Sequence, residues 1–407
     1  MTSETHDLTM EQWFERACAM EPVVEQYRDE AEQGRKLPRP LFEALRDNDF
    51  FKVWTPRSLG GAEVSIETAV RVTEELSRQD GSVGWNVMIA GNTSILWALI
   101  DPEASRDIFD KQPSAVIAGT ILAGRGAAVP VEGGYRLTGR WPFASGCSQA
   151  DWMVASGVIT IDGVAQLGPD GQPETNAFVL PIKDCEILDT WYTAGLRGTG
   201  SHDFEVKDAF VPEGRHFVSV MAKSYEPGPL YNTMITNVWG FNVSAVALGI
   251  ARDALDSFAE LAQTKRQRGA ENPIASREMV QTRLGEAEAL LRSGRAFLYE
   301  ACRDTWALLS AGKAVPIEQA ATNRLAYACA TSNAVEATDM VFTLAGSSSI
   351  YTSSRIERAF RDVHMVTQHG VVGPAGYTIA GQCFLGYGMP QRGREGANDG
   401  KDPRSFT

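Results

Sequence analysis

The stretch Gly134–Gly146, GYRLTGRWPFASG, decides how the middle of the chain is read. It begins at a Gly133-Gly134 pair, a hairpin signal, and is rich in aromatic residues. Runs of the same strand-forming character flank it: SAVIAGT (114–120), AAVPV (127–131), WMVASGVIT (152–160), NAFVLPI (176–182) and DFEVKDAFVP (203–212). Gly, Pro, Asp and Asn separate them. Seven or eight short strands without helices between them predict an antiparallel barrel or sandwich over residues 114–228, not a βαβ nucleotide fold.

Outward from this block the pattern is helical on both sides. Leu41, Phe42 and Leu45 share one helical face, and after Ser65 so do Ile66, Ala69, Val70 and Leu76. Residues 1–113 therefore read as an N-terminal helical domain. Over 229–390, Val280, Leu284, Ala287, Leu291, Gly294, Leu298 and Ala301 recur at steps of four and three. That seam predicts a C-terminal four-helix bundle, with Gly294 permitting close helix approach. Residues 391–407 are polar and read as a flexible tail. The expected class is α+β multidomain, in the order helical, β, helical.

Composition narrows the function. At roughly 150 residues per domain, 407 residues suggest two or three units. The apolar fraction of 43% supports a large core. Thirty-eight Lys and Arg against 51 Asp and Glu give −13, which argues against nucleic acid and against anionic membrane surfaces. Six cysteines without a C-x-x-C pair, and only five histidines, make neither a disulfide framework nor a metal site. No secretory signal and no long apolar run are visible, so a cytoplasmic enzyme is expected. The P-loop, HExxH and GxSxG motifs are absent. Gly195, Gly198 and Gly200 lie between strands and open no helix, so they are not a dinucleotide fingerprint.

Several motifs, in order, resemble the acyl-CoA dehydrogenase fold: LPRPLFEALRDNDFFKVWTPRSLGG (37–61), EELSRQDGSVGW (74–85), GRWPFASG (139–146), LRGTGSHDFEVKDAFVP (196–212) and RIERAFRDVH (355–364). The resemblance implies a flavin between the β domain and the bundle, usually in a homotetramer arranged as a dimer of dimers. Trp141, Phe143, Ala144 and Ser145 could supply apolar surface and a hydroxyl to the ring. Arg197, Thr199, Gly200 and Ser201 could supply a cation and donors on a turn. Arg266 and Arg268 resemble the bundle arginines that reach a flavin phosphate.

A dehydrogenase of this fold needs a carboxylate base, usually after the last bundle helices. Here no Asp or Glu occurs from Val363 to Arg392. The stretch instead contains His364 and His369. It looks like the flavin-dependent two-component monooxygenases that share the fold. Those hydroxylate aromatic compounds with O2 and reduced FMN or FAD delivered by a separate NAD(P)H-dependent reductase, through a flavin C4a-hydroperoxide. The resemblance places a catalytic histidine at His369 and a flavin-contacting serine at Ser145. A neutral imidazole near pH 7 suits such a role. His364 and His369 are about 500° apart around a helix, so at most one faces the flavin.

Several of these monooxygenases carry a further active-site histidine shortly after the Gly-Trp of the N-terminal domain; GWNVMIAGNTSILW (84–97) has none, and Asn92 is the nearest polar candidate for its place. Asparagine cannot act as a base, so an indole or other heteroaromatic gains over a phenol. Trp85, Trp97 and Trp239 could line an aromatic pocket with Asn92 and His369. His202 and His216 are expected at the surface of the β domain. The alternatives are an acyl-CoA dehydrogenase-type FAD oxidoreductase and an amine N-oxygenase on the same scaffold.

Overall fold

The computed structural model describes residues 8–121, 125–169, 171–218 and 224–388; the tail expected over 391–407 lies outside them. The N-terminal helices are α1 (Met10–Cys18), α2 (Glu21–Gly34), α3 (Arg39–Asp47), α4 (Ile66–Gln79), α5 (Gly81–Ser94) and α6 (Pro102–Lys111). Their limits follow from local chemistry. Ser65 caps α4 by accepting the Thr68 N–H at 3.1 Å, and Leu41, Phe42 and Leu45 of α3 are buried as their spacing predicts. Asp80 ends α4 and starts α5: its Oδ1 accepts the Ser82 and Val83 N–H groups at 2.9 and 3.1 Å.

The central strands are β1 (Ile117–Thr120), β2 (Gly126–Val131), β3 (Gly134–Ala144), β4 (Trp152–Ile161), β5 (Val164–Ala165), β6 (Thr175–Pro181), β7 (Glu186–Leu188), β8 (His202–Pro212) and β9 (His216–Phe217). The sheet runs β7-β8-β3-β2-β4-β6-β9, with β1 and β5 also on β4. The β2–β3 hairpin turns at Gly133, φ +76°, and β3–β8, β4–β6 and β7–β8 are antiparallel. The sheet is nevertheless mixed, because β1 and β2 both pair in parallel with β4. Strand text specifies side-chain alternation and carries no information on direction, so only pairing reveals this.

Strands β4 and β6 show why their text is apolar throughout. Met153, Ala155, Phe178 and Leu180 enter the β-domain core, while Trp152, Val154, Ala177 and Val179 join the helical core on the opposite face. The period of two sends neighbours to opposite sides, and both sides are dry.

The C-terminal helices are α7 (Trp239–Thr264), α8 (Glu278–Ser310), α9 (Ile317–Ala345), α10 (Arg355–Val366) and α11 (Ala375–Phe384). Helices α7 to α10 form the bundle, and α11 packs on α9. In α8 the seam residues Val280, Ala287, Leu291, Gly294, Leu298 and Ala301 are buried, with Leu284 half-buried. Fully burying each leucine is worth roughly 1.5–3 kcal/mol. A Cβ on Gly294 would stand 3.1 Å from Ala330 Cα, so glycine sets how near α8 and α9 approach. Helix α7 also packs on α4 and α5, joining the two helical regions in one core. Among the described residues no helix is long and apolar enough to cross a membrane.

Candidate active site

Three elements converge where β3 ends. Between Trp141, paired with Phe204, and Ala144, paired with His202, β3 holds one residue more than β8. This bulge turns Phe143 outward at φ +65° and leaves it 57% exposed. The next residue but one, Ser145, is buried. The second element is the turn at 196–200, entered at Leu196 and left at Gly200 in left-handed conformations of φ 48° and 53°. It delivers Thr199 and Ser201. The third is α5, whose Asp80 cap sets the rotation that aims Trp85 at the strand end.

The side chains from these elements join in one chain. Trp85 Nε1 donates to Ser145 Oγ at 3.0 Å. Ser145 Oγ lies 2.7 Å from Ser201 Oγ, and Ser201 Oγ lies 2.7 Å from Thr199 Oγ1. Thr199 Oγ1 donates to the Leu196 carbonyl at 2.8 Å. All four side chains are buried.

His369 stands against the edge of Trp85, with ring centroids 6.0 Å apart at 69°. It lies just beyond α10, where its own N–H reaches the Val366 carbonyl at 3.1 Å. Nδ1 accepts the Val371 N–H at 3.3 Å, so the neutral ring carries its proton on Nε2. Desolvation lowers its pKa to about 4, so the ring is neutral at physiological pH. His364 is turned elsewhere. Its Nδ1 is 2.7 Å from the Phe360 carbonyl and its Nε2 3.5 Å from Asp339.

Asn92 lies seven residues after Trp85 and hence on the same face of α5, about 10 Å further along. Its Oδ1 accepts from Asn242 at 3.1 Å, and its Nδ2 is 3.4 Å from the Trp239 carbonyl. The amide therefore ties α5 to α7. Trp239 is half-buried, and its Nε1 has no hydrogen-bond partner among the described residues.

Other expected site residues fall outside this group. Trp141 is fully buried in the β core, stacked on Phe204 at 5.1 Å and bonded to the Ser156 carbonyl, so it presents no face to a ligand. Ala144 lies in the same core. Both point inward because the bulge reverses only Phe143. Arg197 is directed at α2, with Nε 3.8 Å from Glu32, which also pairs with Arg361 at 2.9 Å. Gly200 supplies a backbone turn. Arg266 and Arg268 are exposed on the connection after α7. There Lys265 holds the Ala345 carbonyl and Ser348 Oγ. Trp97 is a core residue between Phe109 and Trp152. His202 is buried, not superficial: its Nδ1 accepts the Thr190 and Trp191 N–H groups. His216 is half-buried against Tyr135 and Phe178.

Sequence reasoning missed two residues that hold the site. Asn86 bridges the Ser82 and Gly198 carbonyls at 2.9 and 3.3 Å, and so ties α5 to the 196–200 turn. Buried Asp362 of α10 accepts the Leu196 N–H at 2.6 Å. Burial beside Asp80 raises its pKa to about 8. The buried carboxylate in the motif Arg361-Asp362 was the available signal.

The arrangement fits a flavin ring. An exposed aromatic side chain adjoins a buried hydroxyl, and a neutral imidazole stands next to the indole bonded to that hydroxyl. Comparison with known proteins gives the family. Residues 8–106 match the family "Acyl-CoA dehydrogenase, N-terminal domain", and residues 241–374 match "Acyl-CoA dehydrogenase, C-terminal domain". An indole-3-acetate monooxygenase of Pseudomonas putida is 32% identical over 90% of this chain and 93% of its own. The flavin-dependent monooxygenase oxygenase subunit HsaA of Mycobacterium tuberculosis is 30% identical over 91% and 95%. The structure of XiaF from Streptomyces sp., in complex with FADH2 and glycerol, superposes with a TM-score of 0.85. It is 25% identical and covers 93% of this chain and 96% of that one. The fold and site thus define a flavoenzyme of acyl-CoA dehydrogenase architecture. The chain belongs to the flavin-dependent monooxygenases built on that architecture.

Proposed function

We propose that the chain is the oxygenase component of a two-component system. It takes reduced FMN or FAD from a separate NAD(P)H-dependent reductase and inserts one oxygen atom of O2 into a small aromatic or heteroaromatic substrate. The observation that carries this reading is the meeting of Ser145, Trp85 and His369, with no Asp or Glu in the sequence from Val363 to Arg392. A relative that acts on indole-3-acetate supports an indole-type substrate. So does Asn92, which is committed to Asn242 and has no basic atom to offer a phenol.

Bound reduced flavin would supply the electrons that activate O2. Phe143 offers the ring an apolar face, and Ser145 offers a hydroxyl oxygen at its edge. His369, neutral with its proton on Nε2, would donate a hydrogen bond to a bound flavin or substrate and would not compete as a cation. Trp85 fixes Ser145 and, with Trp239, excludes water from the substrate's side. Arg266 and Arg268 are the exposed cations suited to a flavin phosphate, consistent with a homotetramer in which neighbouring copies complete the site. Supply of reduced flavin by a reductase fits a cytoplasmic setting.

The test supplies reduced flavin, air and a panel of indoles and phenols. Mono-oxygenated product incorporating one atom of ¹⁸O2 is the expected result. Oxidation of the reduced flavin with O2 going only to hydrogen peroxide, with every aromatic tried, would remove the reading.

A further inference from the structure

Taken as three hydrogen bonds, the oxygen–oxygen contacts from Ser145 to Leu196 run in one direction, ending at a Leu196 carbonyl that also accepts Trp191 Nε1 at 3.1 Å. Ser145, Ser201 and Thr199 contribute three hydroxyl protons, and the three oxygen–oxygen contacts among Ser145, Ser201, Thr199 and the Leu196 carbonyl each need one. The carbonyl has none to give, so Thr199 donates to Leu196. Ser201 must then donate to Thr199, and Ser145 to Ser201. Trp85, a donor only, fills one lone pair of Ser145. The proton of Ser145 is thus committed inward, and its oxygen can offer a ligand nothing but one remaining lone pair. All four groups are buried, so water does not readily rearrange the chain.

We propose that Ser201 and Thr199 are positioning residues that make this site selective for reduced flavin, by holding Ser145 as a pure hydrogen-bond acceptor. The inference rests on the proposed reading that Ser145 meets the edge of the flavin ring, and takes N5 as the atom it meets. Reduced flavin has an N–H at N5 and can donate to Ser145. Oxidised flavin has a bare nitrogen there, and two acceptors would face each other without a proton. Leaving such a pair unsatisfied weakens binding of the oxidised form by about 10- to 100-fold relative to the reduced form. Removing the inward acceptor frees the Ser145 proton to turn outward, and the preference should collapse.

The experiment measures dissociation constants of FMN and FAD by anaerobic titration, oxidised and dithionite-reduced, for the wild type and three variants. The wild type should bind the reduced form about 10-fold tighter or more. In Ser201→Ala the ratio should fall towards one because the oxidised form binds more tightly. Thr199→Val should move the ratio the same way, and Thr199→Ser, which keeps the proton chain, should restore the wild-type ratio. The midpoint potential of bound flavin gives a second readout, about 30 mV lower for each tenfold lost from the ratio. A ratio unchanged in Ser201→Ala, with thermal unfolding showing an intact fold, would overturn the proposal. So would a loss of affinity equal for both redox states. Absence of binding to the wild type in either state would instead remove the underlying flavin reading.

Discussion

The imidazole of His369 is kept neutral by its surroundings, and that has a measurable sign. Its pKa is lowered from 6.5 to about 4 by desolvation, so the unfolded chain binds this proton more readily than the folded one. The group's contribution to stability is complete above about pH 6.5 and is lost as pH falls towards 4. His369→Gln should therefore lose less stability than the wild type in urea unfolding compared at pH 7 and pH 4.5. The same neutrality predicts a rate of product formation with no inflection near pH 6.5 attributable to this ring. For Ser145→Ala the expected outcome is a several-fold fall in product formed per flavin oxidised, with peroxide rising to match. Equal coupling in variant and wild type would take Ser145 out of the chemistry.

At the scale of elements, glycines fix where helices touch. A Cβ on Gly249 of α7 would lie 2.2 Å from the Glu74 carbonyl and 2.8 Å from the Arg78 backbone nitrogen, both in α4. Backbone cannot move aside as a side-chain tip can, so α4 must shift away. Gly249→Ala should cost about 1–3 kcal/mol, read as a lower midpoint in thermal or denaturant unfolding. Because α4 leads through Asp80 into α5, the shift should also displace Trp85, and the affinity for flavin should fall with stability. Element existence was largely legible: the heptad-like spacing of α8 marked its buried stripe, and Ser65 marked the start of α4. Element direction was not, since β1 and β2 carry the same strand text whether parallel or antiparallel to β4.

At the scale of the whole molecule, Asp362 links α10 to the turn that carries Thr199 and Ser201. Its pKa is raised from 3.8 to about 8, chiefly by burial and then by neighbouring Asp80. The folded chain thus retains a proton that the unfolded chain releases. This group becomes progressively destabilising as pH rises from about 4 to about 8. Asp362→Asn keeps an oxygen for the Leu196 N–H and removes the titration. Its stability relative to the wild type should improve between pH 5 and pH 8, as followed by urea unfolding at both values. A constant difference across that range would show that Asp362 is ionised throughout.

The sequence alone determined the order helical, β, helical, the buried stripes of the long helices, and the absence of Asp and Glu from Val363 to Arg392. Those are properties of local periodicity and composition, which need no knowledge of what lies opposite. It also singled out Ser145 and His369, because their motifs resemble a family's. Only the tertiary structure decided which neighbours of Ser145 are exposed and which enter the core. One extra residue in β3 exposes Phe143 while Trp141 and Ala144 enter the core. Only it showed that Arg197 answers to Glu32, and that three hydroxyls more than 50 residues apart in sequence at their extremes form one hydrogen-bonded chain. Pairings of that kind depend on bulges, caps and helix crossings that bring distant segments together, and distance in space is not written in any single segment.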